Sequence, residues 1–543
     1  MSLAAPWAMA KQRDAIVIGT GAGGLAAAAY LAKQGLDVVA LDQADRIGGF
    51  LAPFSVAGFT FDPGVHYIGR ARRGQVLDHV LGELGIDVQQ AFVEMDPDGF
   101  DVYRFPDLEV RMCRGLERYR DRLIEFFPTD RDGLHKFFEL LHHYSEAQRA
   151  WPLAHHSPRL ADVRSLRHMP SVMRWARASF AELLAHYIHD HRARAVLAAL
   201  DGDVGLPPSR LSALVGLGVL DHYLDGGFYP RGGSGALRDA LVDAATKYGA
   251  EFRTNAPVVE ILTRGSAVRG VRLSDGEELA ADVVISDVDP TVTFGQLLLH
   301  SDIDDKLLRK VEHSVPSISA FAVYLGMRRD LRSHGFGAFN VWQYPTWDLE
   351  AVYAPALAGR LPLPDELSMV LSSSTSRDDS DTLAPAGCST LQLITFMAWE
   401  PFAKWAAIPP SDRGDDYRQL RQEVADRMLA QLDRHWPRLV GDIEVKSIAT
   451  PLSNTDYVRA VHGGIYGPAH TVGQIGPGRF STRTPIDGLF LAGAGVNSCG
   501  VAACLSSGRT AADAVHAAQR RVRVRASTAS RAPALTERKA PQL

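Results

Sequence analysis

Residues 14–49 constrain this chain more than any other stretch. Asp14 to Ile18 is a short β-branched run, the kind that a parallel strand buried on both faces requires. It runs into Gly19-Thr-Gly21-Ala-Gly23-Gly24, a G-x-G-x-x-G with glycines at 19, 21 and 24. Leu25 to Gln34 reads as an alanine-rich helix stopped by Gly35, and Asp37 to Leu41 as a second strand with Asp42 at its end. In such a unit the first glycine makes the tight turn and the second lets backbone approach a pyrophosphate. The third lets the helix pack on the strand, while the helix N-terminus faces the phosphate charge. Asp42 stands 23 residues after Gly19, close to the ~20 expected of a carboxylate that binds a ribose hydroxyl. A lone glycine pattern is weak in a chain with 48 glycines, but here strand, helix, second strand and acid accompany it. The unit therefore reads as a dinucleotide site. A targeting segment over the uncharged residues 15–32, after Lys11 and Arg13, leaves the glycines and Asp42 unexplained.

A second glycine pair, Gly48-Gly49, follows the acid. This extended form resembles the FAD-binding signature of the amine oxidase and phytoene desaturase superfamily. The candidate FAD contacts in this unit are Gly19, Gly21, Ala22, Gly23, Gly24, Asp42, Gln43, Gly48 and Gly49. Phe61-Asp-Pro-Gly-Val-His-Tyr-Ile-Gly-Arg70 resembles the corresponding segment of retinol saturases, which are relatives of carotenoid isomerases and bacterial phytoene desaturases. Pro451 to Tyr457 with Gly463 to Gly467, and Pro485 to Gly495 with Ser498 to Val501, resemble later segments of the same family. The likeness runs over residues 14–515 and is weak in 100–220 and 295–445. It implies that Gly64 lies beside the flavin, that the backbone of Val258 contacts adenine, and that Gly493, Ala494, Gly500 and Val501 complete the flavin site.

At 543 residues the default is two domains. The predicted class is α/β, a Rossmann-type FAD-binding domain of the two-dinucleotide-binding-domain kind. It is interleaved with an α+β substrate domain that holds an antiparallel sheet and a helical, membrane-contacting region. The predicted FAD domain comprises 13–99, 226–292 and 461–519; the substrate domain comprises the helical 100–225 and the sheet-bearing 293–460. Residues 520–543 read as a disordered basic tail. Helical spacing appears in 116–127, 134–151, 171–200, 236–248, 417–435 and 502–519. Strands are predicted at 251–254, 258–262, 268–273, 277–279, 282–286, 317–325, 368–374 and 390–397. Phe321, Tyr324, Phe339, Trp342, Phe396 and Trp399 either wall a tunnel for a long apolar substrate or serve as core.

The net charge of −5 does not suggest nucleic acid as a general partner. Cys113, Cys388, Cys499 and Cys504 are dispersed without C-x-x-C, so neither a disulfide framework nor a zinc site is expected, which fits a cytoplasmic setting. Between 149 and 194 there are eight arginines against three acids, interleaved with Trp151, Trp175, Phe180 and Tyr187. That composition suits a helix lying on an anionic bilayer, peripheral on the inner membrane face; it equally suits a solvated helical face with core aromatics.

The leading function is an FAD-dependent oxidoreductase acting on carbon–carbon double bonds of a lipophilic unsaturated substrate, by saturation. Desaturation or cis–trans isomerisation of a polyene is the rival within the class. A flavin amine oxidase and a noncatalytic lipid-binding flavoprotein are rivals outside it. Alkene reduction needs a hydride and a proton, and the resemblance places His66 and Tyr67 beside the flavin as candidate donors, with Tyr457 as a further candidate. A histidine with an ordinary pKa near 6.5 suits that role. No metal is expected.

Overall fold

The computed structural model describes residues 12–156, 166–298, 304–378 and 380–529. A five-stranded parallel sheet has the order Leu489–Leu491, Val284–Ser286, Ala15–Ile18, Val38–Leu41 and Glu251–Arg253. Ile16 pairs with Val284 on one side and with Val39 on the other. The four innermost residues of each central strand are buried, which is why the run is apolar throughout instead of alternating. The helix Ala22–Lys33 crosses from the first strand to the second, and Gly35 follows it at φ +89°. The long helix Val501–Ala529, which continues past the predicted end at 519, packs on it backbone to backbone. A side chain at Gly508 would collide with the Gly23 carbonyl, and Ala26, Ala27, Ala511 and Ala512 are wholly buried in the same contact. Small residues in both helices thus serve close approach.

Chain order reverses at Ala15–Ile18: the next strand lies on one side and Val284–Ser286 on the other. The crevice outside the carboxyl ends of these two strands is where an open parallel sheet binds ligands. The hairpin Val258–Arg264, Ala267–Leu273 and Glu278–Ala280 flanks the sheet.

A seven-stranded sheet has the order Ile443–Ala449, Ser319–Met327, Ser389–Met397, Met369–Ser372, Asn340–Gln343, Asp101–Phe105 and Leu108–Met112. It is antiparallel apart from the parallel pair formed by Asn340–Gln343 and Asp101–Phe105, and its last two strands come from the segment read as helical. Alternation along the strands assigns the faces. Phe321, Val323 and Leu325 face a core shared with Val424, Met428 and Leu432 of the helix Gly414–His435. Ala320, Ala322 and Tyr324 face a cavity on the opposite side.

The spacing in 171–200 predicts one helix, but the chain forms three, Met169–Met173, Phe180–Tyr187 and His191–Leu197. Two local caps divide them. Ser179 and Glu182 form a capping box, and Asp190 accepts the Arg192 amide. Of the basic stretch, residues 157–165 and the side chains of Arg149 and Trp151 lie outside the described residues. Phe180 is core, and Arg192 pairs with Asp107 and stacks on Trp347. Of the tail, 530–543 lies outside the described residues. Among the described residues, no helix is long and apolar enough to cross a membrane.

Candidate active site

A cavity of about 370 Å³ runs from the switch point of the parallel sheet to the inner face of the seven-stranded sheet. At its first end Gly19 turns the chain at φ +90°, and Gly21 caps the helix Ala22–Lys33 without a side-chain hydrogen bond. A helix start of this kind suits a negatively charged ligand. Gly19, Gly21, Ala22 and Gly23 line this end, with Asp42, Gln43 and Gly49 beside them. Val258 also lines the cavity, as do Gly493, Ala494, Gly500 and Val501 at the start of the second long helix. Two helix N-termini thus converge on one space, which suits a pyrophosphate and a polarised ring system.

Gly24 and Gly48 are not part of the lining. A Cβ at Gly24 would collide with the Gly19 carbonyl, so this glycine serves helix-on-strand packing. Gly48 has φ +124° and faces Arg238. Thr20, which the sequence reading passed over, joins these pieces. Its amide donates to Asp42 at 2.9 Å, and its hydroxyl bonds Asp42 while accepting the Gly48 amide at 3.1 Å.

Asp287 was also missed. It follows the strand Val284–Ser286 at the switch point, which was the available signal. Its carboxyl stands against the Gly21 and Gly24 amides, and burial together with the Asp42 charge pushes its pKa up to about 7. A Cβ at Gly21 would lie 2.7 Å from Asp287 Oδ2, so a side chain there first meets this carboxyl. The glycine-lined trench, the two helix starts and the held carboxylate fit FAD.

At the second end, Pro63 to Tyr67, including Gly64, forms one wall, with Tyr324, Trp342 and Phe396 on the sheet side. Phe321, Phe339 and Trp399 pack on the sheet's other face and do not wall a tunnel. Tyr67 donates to Asp203 Oδ2 at 2.6 Å and stacks on Tyr223 at 4.4 Å between centroids. Asp203, unnoticed in the sequence, lines the cavity, and burial with the Asp101 charge pushes its pKa up to about 8. Asp101 accepts Trp342 Nε1 at 2.9 Å and Asn340 Nδ2 at 3.1 Å, and burial pushes it up to about 7.

His66 departs from expectation. Burial and the Arg377 charge pull its pKa down to about 4, so at neutral pH it is an uncharged imidazole and not the acid that a value near 6.5 would provide. Its Nδ1 has no hydrogen-bond partner, and its backbone carbonyl accepts from Arg377. Tyr457 is 65% exposed, at the rim on the helix Pro451–Val458, whereas Tyr67 is buried. The structure therefore brings His66 and Tyr67 into one buried wall and places Tyr457 in the lining of the same cavity at its exposed edge.

The family model for flavin containing amine oxidoreductases matches residues 22–516. The chain is 27% identical over 522 residues to the all-trans-retinol 13,14-reductase of Danio rerio, covering 92% of this chain and 85% of that one. It is 28% identical over 544 residues to the chloroplastic prolycopene isomerase 1 of an Oncidium hybrid cultivar, covering 93% and 84%. In fold it is similar to an oxidoreductase from Methanosarcina mazei, with a TM-score of 0.60 at 16% identity, covering 92% and 99%. The match over nearly the whole length, on a scaffold built around a dinucleotide cleft, leads to one assignment: the chain is an FAD-dependent enzyme and belongs to the flavin containing amine oxidoreductase family.

Proposed function

We propose that this enzyme reduces a carbon–carbon double bond in a long, unsaturated, lipophilic substrate such as a retinoid or carotenoid. The observation that carries this reading is the second end of the cavity. Ala320, Ala322, Tyr324, Ile394 and Phe396 make an apolar wall continuous with the nucleotide cleft. The retinol reductase similarity supports the same substrate class. In this reading the chain divides into an FAD domain (13–99, 226–292, 461–519) and a substrate domain (100–225, 293–460). The turn Gly19 to Gly23 holds the pyrophosphate, Asp42 and Gln43 the ribose, and the Val258 backbone the adenine. Gly49, Gly64, Gly493, Ala494, Gly500 and Val501 hold the flavin, while Gly24 and Gly48 shape the turn. Bound FAD supplies two-electron hydride chemistry, and the protein binds, orients and excludes water. Neutral His66 and Tyr67 shape the wall around the reacting bond, and Tyr457 guards the rim.

The test is anaerobic incubation of the reduced enzyme with all-trans-retinol. The expected product has gained two hydrogens and the flavin is oxidised. A product of unchanged mass identifies isomerisation, the reading that the prolycopene isomerase similarity favours. Filling the wall separates substrate from cofactor. Ala322, on the inward face of its strand, lies on the substrate side of the cavity. Ala322→Trp is expected to keep full FAD while turnover falls about 10²-fold, the effect of misplacing a bound reactant by about 1 Å. Flavin content and turnover of the same sample check this.

Contact with an anionic membrane belongs to the same reading, since a lipophilic substrate must be drawn from a lipid phase. Met173 is 49% exposed, with exposed Arg174 and Arg177 beside it. The protein is expected to sediment with anionic liposomes more than with neutral ones, and less as salt rises, at about 1 kcal/mol per arginine near the surface. Equal sedimentation with both would remove the electrostatic contact.

A further inference from the structure

We infer that Asp203 is the proton donor of the reaction, a catalytic residue outside the set His66, Tyr67 and Tyr457. This rests on the reading that the enzyme reduces a carbon–carbon double bond. Asp203 lines the cavity next to Gly202, where Trp342 of the seven-stranded sheet leaves no room for a side chain. Its carboxyl receives the Tyr67 hydroxyl at 2.6 Å and also bonds Tyr223. Tyr67 stands between two buried carboxyls, Asp203 and Asp101, and interacts with both. A phenol has one hydrogen to donate, so it can satisfy only one carboxylate at a time. Asp101 also has an Oδ2 without a partner. Two like charges that share one donor in a buried site do not both ionise, and the pair retains a proton near neutrality.

The groups around Asp203 agree with this. Tyr67 and Tyr223 are held far above their ordinary pKa, and Tyr466 donates to the Gly202 carbonyl at 3.0 Å. The Cys499 thiol, pushed up to about 12, points at the Asp203 carbonyl. Burial, and then the Glu350 charge, push Asp201, two residues before Asp203, well above the usual carboxylate range. The Arg377 charge acts on Asp101 and Tyr67, while the groups that bond the Asp203 carboxyl are the phenol hydroxyls of Tyr67 and Tyr223.

The balanced step needs a hydride, for which the two-electron-reduced flavin is the reductant. One alkene carbon gains that hydride and its neighbour gains the Asp203 carboxyl proton. One π bond is lost, two C–H bonds form, and the flavin ends oxidised. Asp203 is left as a carboxylate with the Tyr67 hydroxyl already donated to it. It is reprotonated from water before the next turnover. The sign of the pH dependence follows: the protonated form is active, so rate is full below about pH 7 and falls as pH rises through about 8.

The test uses the FAD-loaded enzyme, the variants Asp203→Asn and Tyr67→Phe, and all-trans-retinol under anaerobic conditions. Asp203→Asn is expected to keep its flavin, lose about 10²-fold or more in rate, and lose the alkaline limb of the pH profile. Tyr67→Phe removes a donor to the carboxylate, so the limb is expected to move to higher pH. Independently of turnover, infrared spectra of the resting wild type at pH 7 are expected to show a protonated-carboxyl band. The part of it that belongs to Asp203, the band that fades through about pH 8, should be missing in Asp203→Asn, while the other buried carboxyls keep theirs. An unchanged rate in flavin-loaded Asp203→Asn, an unmoved limb in Tyr67→Phe, or the absence of the band overturns the assignment. If wild-type reduced flavin is not reoxidised by the polyene at all, the reduction reading itself fails and takes the donor role with it.

Discussion

Gly21→Val is expected to purify colourless, with flavin absorbance per protein near zero. The side chain has nowhere to go. A Cβ at Gly21 would stand 2.7 Å from Asp287 Oδ2, and the backbone is tight there too, since a Cβ at Gly49 would come within 3.3 Å of the Gly21 Cα. Asp287 is not free to withdraw, because it stands against the Gly21 and Gly24 amides at the start of the helix. Two more methyl groups must then enter the trench itself. A loss of about 4 kcal/mol or more in FAD affinity, roughly three orders of magnitude in Kd, follows from filling such a site. Gly23→Ala makes an informative companion. Its Cβ would collide with Asp287 Oδ1 and lie 2.6 Å from the Gly493 amide nitrogen, a backbone atom, so the damage reaches the turn that follows the strand Leu489–Leu491. Gly23→Ala should therefore lower the unfolding temperature of the flavin-free protein, whereas Gly21→Val should act mainly on flavin. A full flavin load in Gly21→Val would remove the glycine turn from the cofactor site.

The contrast between these two glycines shows what a sequence discloses. Local backbone demands are legible. Gly19 at φ +90° and Gly35 at φ +89° hold conformations that other residues seldom adopt, and their spacing was enough to locate strand, turn and helix. Period-two alternation was legible too, but only when used fully. Phe321 and Tyr324 are three residues apart on one strand, so they cannot share a face, and the structure puts them on opposite ones. The chemistry of the second end was not legible, because it comes from pairs distant in the chain. Tyr67 meets Asp203 across 136 residues, and Arg377 reaches the His66 carbonyl across 311. No local pattern marks Asp203 as a cavity residue. The pKa of His66 is likewise set by burial and by a charge that arrives from a strand end far away.

That charge supplies the second large effect. Arg377 is buried beyond the end of the strand Met369–Ser372 and donates to the His66 carbonyl, Asn340 Oδ1 and, at 2.8 Å, Ser372 Oγ. Its guanidinium also lies over the Tyr229 ring at 5.6 Å. Burial pulls its pKa down to about 10, which still leaves it charged at neutral pH. Arg377→Met keeps the volume but leaves these acceptors without their donor, and breaking such a buried charged network costs about 3–5 kcal/mol. Arg377→Lys should recover little, because a point charge on a flexible stem cannot reach three acceptors as a planar fork does. The variant should also alter acid sensitivity. In the wild type, folded His66 titrates near 4 and unfolded histidine near 6.5, so the unfolded chain binds more protons between those values. Stability contributed by His66 is therefore full above about pH 6.5 and is lost as pH falls toward 4, by up to about 3 kcal/mol. Without the Arg377 charge the folded pKa rises toward its ordinary value and that acid-side loss shrinks. Urea unfolding of wild type and Arg377→Met at pH 7 and pH 5 measures both effects. The variant should be weaker at both, with the gap narrower at pH 5; an equal gap at the two values would mean that Arg377 does not set the charge state of His66.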